Sequence, residues 1–150
     1  MTAIVDMIDQ VEDMTADERL KLVKKHFPQF RITVGFYKVV EGWNYHDCNQ
    51  YRVHIYNGEE KPFITTFTDS ISNTEKGEKS HKFDVLYCVI RDAEAYLTTQ
   101  NVSDFQAEFG YEDTKEASKI FNACKKSYNE LHRLFGNEGF NFLQAVTYNF

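Results

Sequence analysis

The run from Phe105 to Phe135, FQAEFGYEDTKEASKIFNACKKSYNELHRLF, limits the folds open to this chain more than any other stretch. Ala117, Ile120, Phe121, Cys124, Tyr128, Leu131 and Phe135 recur at three- and four-residue intervals, so one side of a long helix is apolar and must be buried. Asp113-Thr114-Lys115-Glu116 opens that helix as a capping box, the first residue accepting from a first-turn N–H and the fourth reaching back. Gly136 closes it, and a short helix carrying Phe140, Leu143 and Val146 follows. Upstream, Ser103-Asp104-Phe105-Gln106 offers another box, and Gly110 stands where a helix C-terminus needs a left-handed residue. Two helices hinged at Phe109-Gly110-Tyr111 are the expected result.

The N-terminal part reads as a helical arm. Ile4, Ile8 and Val11 share one face of a short helix, while Asp6, Asp9 and Asp13 share the opposite face with Glu12 beside them. Thr15-Ala16-Asp17-Glu18 is a capping box for a second helix with Leu20, Val23 and Phe27 on its apolar side. Pro28 stops it, because the residue before proline is driven out of the helical region. Lys21, Lys24 and Lys25 suit the negative end of the helix dipole, so they need no nucleic acid to explain them.

The pattern then changes period. RITVGFYKVV, from Arg31 to Val40, is β-branched and aromatic, with Ile32, Val34, Phe36 and Val40 expected on one side. Gly42-Trp43-Asn44 turns the chain into Gln50–Asn57, where Tyr51, Val53 and Ile55 alternate with Arg52, His54 and Tyr56. Asn57-Gly58 turns it again into PFITTFTDS. Three strands on short turns predict an antiparallel meander with one apolar face under helices and one wet face. SISNTEKGEKS, from Ser70 to Ser80, reads as a mobile loop, and a third helix runs from near Ser80 to about Leu97 on Phe83, Leu86, Tyr87 and Ile90. The fold class is therefore α+β: a three-stranded antiparallel sheet with helices packed on one face and an N-terminal helical arm. One domain is expected over 1–150, with the arm at 1–27, the sheet at 28–69 and the helical layer at 80–147.

Composition narrows the function classes. With 23 acidic against 17 basic residues the net charge is −6, which argues against a grip on nucleic-acid phosphates by charge alone. No apolar run reaches the roughly 18 residues of a membrane span, and MTAIVDMIDQVED is acidic where a secretory signal begins basic. Three widely spaced cysteines, Cys48, Cys88 and Cys124, suit a reducing compartment. A cytoplasmic protein is the expectation.

Catalytic patterns are weak. His46, Cys48, His54 and His81 have poor spacing for zinc and lack a second cysteine pair, so no metal or other cofactor is expected. There is no G-x-S-x-G, phosphate-binding loop or G-x-G-x-x-G, and the adjacent acids Glu59 with Glu60, or Glu108 with Asp113, read as solvated turn and cap residues. Tyr51, Tyr56, Arg52, Lys61 and Lys38 interleave aromatic with basic groups as a single-strand binder does, but packing within the sheet explains them more simply. Direct nucleic-acid binding is the lesser expectation.

From Tyr51 to Leu143 the chain resembles a family of small accessory proteins encoded by bacteriophages and prophages, anti-CRISPR-like in character. The resemblance rests on YRVHIYNGEEKPFITTFT, FDVLYCVIRDAEAY, FGYEDTKEASKIFNAC and LHRLFG, particularly Phe105, Phe109, Gly110, Tyr111, Asp113, Ala117 and Cys124. The first fifty residues fall outside it. It implies a non-enzymatic inhibitor whose carboxylates stand in for phosphates against a nuclease's Lys and Arg, and it carries no catalytic residue onto this sequence. The expected partner is a bacterial defence nuclease, foremost a CRISPR effector, or its ribonucleoprotein complex. Asp6, Asp9, Glu12 and Asp13 form one candidate contact ridge and Glu59, Glu60 and Asp69 a second, and Trp43 on its own loop is a further candidate contact. The alternative is a phage accessory protein holding single-stranded or structured nucleic acid on the Arg52, Tyr56 and Lys61 side of the sheet. Reversing Asp6, Asp9, Glu12 and Asp13 to lysine is expected to abolish effector binding with helicity and melting temperature intact; unchanged affinity removes that ridge as the site.

Overall fold

The computed structural model describes residues 10–43, 46–58, 61–70 and 82–148, without the side chains of Trp43 and His46. In chain order the elements are α1 (Ala16–His26), β1 (Phe30–Trp43), β2 (His46–Asn57), β3 (Phe63–Ser70), α2 (Lys82–Thr99), α3 (Val102–Phe109) and α4 (Thr114–Val146). This is an α+β fold with a helix preceding a three-stranded antiparallel sheet in the order β1-β2-β3. The Ser70–Ser80 loop falls, beyond Ser70, outside the described residues, as does the arm helix before Gln10. The chain divides into two compact units, Met14–Val85 and Met1–Asp13 with Leu86–Phe150.

In the first unit, α1 starts as its sequence requires. Thr15 Oγ1 accepts from Glu18 N and Glu18 Oε1 accepts from Thr15 N, both at 3.2 Å. Val23 is fully buried, and so is the Arg19 side chain, whose Nε donates to Met14 O. Strand β1 extends three residues past the Arg31–Val40 expectation, to Trp43, and β2 begins at His46 rather than Gln50. Alternation holds along most of the sheet: Ile32, Val34, Tyr51, Val53, Ile55 and Phe63 are buried, and the register pairs Ile32 with Ile55, Val34 with Val53 and Ile55 with Phe63.

One expectation fails inside β1. Phe36 pairs with Tyr51 and Lys38 with Gln50, so Tyr37 is an extra residue, a bulge. Beyond it the side-chain parity is inverted. Val39, opposite Asn49, takes the side of Ile32 and Val34, whereas Val40, opposite Cys48, does not. Phe36 stays on the expected side but is 41% exposed, its ring edge-on to Tyr51 at 6.3 Å.

The second unit is built on aromatic helix contacts. Leu86, Val89, Ile90 and Ala93 are buried along α2. Gln100 takes a left-handed φ of 62°, and Asn101 caps α3, accepting from Asp104 N and donating to Asp104 Oδ2 at 2.9 Å each. The cap is thus Asn101 and not Ser103: both precede Asp104, but only Asn101 lies outside the helix with extended backbone. Gly110 ends α3 at φ 72°, and Asp113 caps α4 by accepting from Lys115 N at 2.9 Å and Glu116 N at 3.4 Å. Gly136, at φ 74° and ψ 176°, breaks α4 where the sequence stops the long helix. Phe105, Phe121 and Cys124 form a buried cluster against Tyr96, Val102, Tyr111 and Ile120.

A Cβ built on Gly110 meets nothing within 4 Å, so its requirement is conformational. Gly110→Ala is expected to cost about 1 kcal/mol, and Gly110→Asn less because asparagine tolerates the left-handed region. Urea denaturation checks the order; equal losses would point to packing instead.

Candidate functional site

Of the expected acidic contacts, Asp6, Asp9, Glu59 and Glu60 lie outside the described residues, as does the Trp43 side chain. Glu12 and Asp13 are exposed beside the fully buried Val11, which matches the split between an acidic and an apolar side at that end of the arm. Asp69 is half-buried, pairs with Asn49 on the Tyr51 side of the sheet, and accepts from Ser70 N at 2.9 Å. Glu12 and Asp13 belong to the helical unit and Asp69 to the sheet unit.

Charge divides between the units. The helical unit's sequence holds 13 acidic and 6 basic residues, the sheet unit's 10 acidic and 11 basic. A group that sequence reasoning left as caps and turns lies at the α3–α4 corner, where Glu108, Glu112 and Glu116 are exposed and Phe109 is 48% exposed. Phe109 rests on Phe105 with centroids 4.8 Å apart. Asp104 and Asp113 at the same corner are committed to the caps of α3 and α4.

The wet face of the sheet is organised by arginine–tyrosine pairs. Arg31, opposite Tyr56 in the register, places its guanidinium carbon 4.0 Å from that ring's centroid. Arg52, opposite Gly35, lies 4.2 Å from the centroid of the bulge residue Tyr37, with Lys38 Nζ at 5.4 Å. Gly35 bears no side chain there, which leaves room over Arg52. His54 and Tyr56 stack at 15° between planes. Tyr51 is fully buried on the other face, whereas Tyr56 is half-buried on this one. Arg31 and Tyr37 were missed. Arg31 is placed by its pairing with Tyr56 and Tyr37 by the bulge, both relations between strands that β1 alone does not show.

Asp92, Tyr111 and Cys124 make up a third group. Asp92 is exposed by surface area, yet the packed protein around its carboxyl raises its pKa from 3.8 to about 6. Burial, with the Asp92 charge adding to it, pushes the Cys124 thiol up to about 12, and Tyr111 is raised by burial first and then by Cys124, Glu116 and Asp92. A thiol so firmly protonated is a poor nucleophile. Cys48, Cys88 and Cys124 form no disulfide. No group of three His, Cys, Asp or Glu among the described residues is placed to hold a metal ion, and His81 and the His46 side chain lie outside them. No described helix is long and apolar enough to cross a membrane.

No protein-family model, curated protein or solved structure matches the chain.

Because the folded state raises the Asp92 pKa, it favours the protonated form. That contribution to stability is whole below about pH 4 and is lost as pH rises through about 6; solvent at the exposed side limits its size. Asp92→Asn lacks this fall, so the difference between variant and wild-type melting temperatures should grow in the variant's favour as pH rises from 4 to 7. A difference independent of pH would show that Asp92 titrates as in the unfolded chain.

Proposed function

We propose that this chain acts by binding, as a phage-encoded, non-enzymatic inhibitor of a bacterial defence nuclease, with a CRISPR effector as the foremost target. The observation that supports this reading is the segregation of charge: 13 acidic against 6 basic residues in the helical unit, while the sheet unit is nearly balanced. An excess of carboxylates in one compact unit offers a nuclease's Lys- and Arg-lined channel a substitute for phosphates, which speeds encounter and selects the partner.

The same segregation favours some candidates over others. Asp6, Asp9, Glu12 and Asp13 fall in the acid-rich unit, whereas Glu59, Glu60 and Asp69 fall in the balanced one. The α3–α4 corner adds Glu108, Glu112 and Glu116 around a half-exposed Phe109. An aromatic anchor inside a charged rim is the arrangement that concentrates binding energy at protein interfaces. Inhibition is therefore assigned to the helical unit, in the cytoplasm of the infected bacterium.

Guide-directed DNA cleavage by purified effectors of several CRISPR types, with and without the chain, tests this. Inhibition of one of them is expected, weakened tenfold or more, about 1.4 kcal/mol, in the double variant Glu108→Lys with Glu112→Lys at an unchanged melting temperature. Cleavage unaffected across all of them, or a double variant that inhibits as well as wild type, contradicts the assignment.

A further inference from the structure

We propose that the open face of the sheet is a binding surface for single-stranded nucleic acid, built on two arginine–tyrosine stacks. This goes beyond the inhibitor reading and does not depend on it. The face carries Arg31, Lys38 and Arg52, and none of the three forms an ion pair with a described residue. No carboxylate occurs on that face among the paired positions from Arg31 to Lys38 on β1, Gln50 to Tyr56 on β2 and Ile64 to Thr68 on β3. The sheet's described acids are elsewhere. Asp69 is on the opposite face, and Glu41 and Asp47 are toward the far hairpin end, where Asp47 Oδ1 accepts from Gly42 N at 3.1 Å.

Three cations without an acid among the described residues of that face, in a chain of net charge −6, are a local exception that needs a cause. Cation and ring come together twice, Arg31 on Tyr56 at 4.0 Å and Arg52 on Tyr37 at 4.2 Å. Each contact holds a guanidinium in place and fixes the ring plane beside it. Arg31 and Gly35, the residues facing the two stacks, are four apart on β1, about 13 Å along the strand. The platforms therefore follow the strand direction, and His54, nearly parallel to Tyr56, extends one of them. Tyr37 keeps 47% of its surface exposed and Ile64, on the same face, 46%.

The occupant follows from the chemistry. Bases stack on aromatic rings and guanidinium planes, while phosphates meet the cations, and stacking requires bases not already stacked in a duplex. Three cations are too few to hold a duplex by charge alone, and the acidic helical unit adds no attraction for phosphate. An acidic protein would use the cations but leave the rings idle.

The test measures fluorescence anisotropy of a fluorescein-labelled twelve-nucleotide oligothymidylate with the full chain, over a range of salt concentrations. Binding is expected with a log–log salt slope of about −2, the value for three phosphate contacts on a single strand, and with at least tenfold preference over a duplex of the same length. Arg31→Ala with Arg52→Ala should weaken it tenfold or more. Tyr37→Ala, at an exposed bulge, should weaken it severalfold without changing the salt slope, which a purely electrostatic site would not show. Absence of binding at low salt, equal affinity for duplex, or displacement by inorganic polyphosphate as readily as by oligothymidylate would overturn the proposal.

Discussion

The antiparallel register between β1 and β2 decides which side chains of this protein are core and which meet solvent. Side chains alternate along a strand, so a slip of one residue exchanges the two faces. Pairing Ile32 with Ile55 and Val34 with Val53 commits the apolar set to one side and Arg31, Arg52, His54 and Tyr56 to the other. The bulge at Tyr37 adds one residue without losing that commitment. It keeps Phe36 with Tyr51, brings Tyr37 beside Arg52 and moves Val39 into the place opposite Asn49 that simple alternation gives to Lys38.

The helical unit depends on shape more than on alternation. Phe105 is the centre of its cluster, within 6 Å of the centroids of Phe109, Tyr111 and Phe121, and each of those residues is delivered by a different local device. Gly110 turns the chain so that Tyr111 lies parallel to Phe105, while Asp113 starts α4 at the point that brings Phe121 and Cys124 inward. Carboxylates that do not serve as caps are left on the outside of the same corner. Fold and surface charge are thus set by one short segment, in which the capped and packed residues leave Glu108, Glu112 and Glu116 exposed.

Local chemistry was the legible part of the sequence. The reciprocal Thr15–Glu18 cap, the left-handed Gly110, the Asp113 cap and the break at Gly136 each follow from residues within one helical turn of one another. The misread cap at Ser103 shows the limit: two polar residues precede Asp104, and the choice of Asn101 depends on where α2 ends, at the left-handed Gln100. The Tyr37 bulge was illegible for a different reason. A bulge is a relation between two strands, so β1 alone could not show that Lys38 would pair with Gln50. The open sheet face depends on the same relation, since the bulge is what brings Tyr37 beside Arg52.

Two surfaces of opposite character result. One is acidic, exposed and belongs to helices; the other is cationic and aromatic and belongs to the sheet. Phosphate mimicry is the role proposed for the first and strand binding the role proposed for the second. Hydrogen–deuterium exchange, read peptide by peptide with and without oligothymidylate, tests the separation of these roles most directly. Added protection is expected in the peptides spanning Arg31–Lys38 and Gln50–Tyr56 and none in Val102–Val146. Protection confined to the helical unit would contradict that separation.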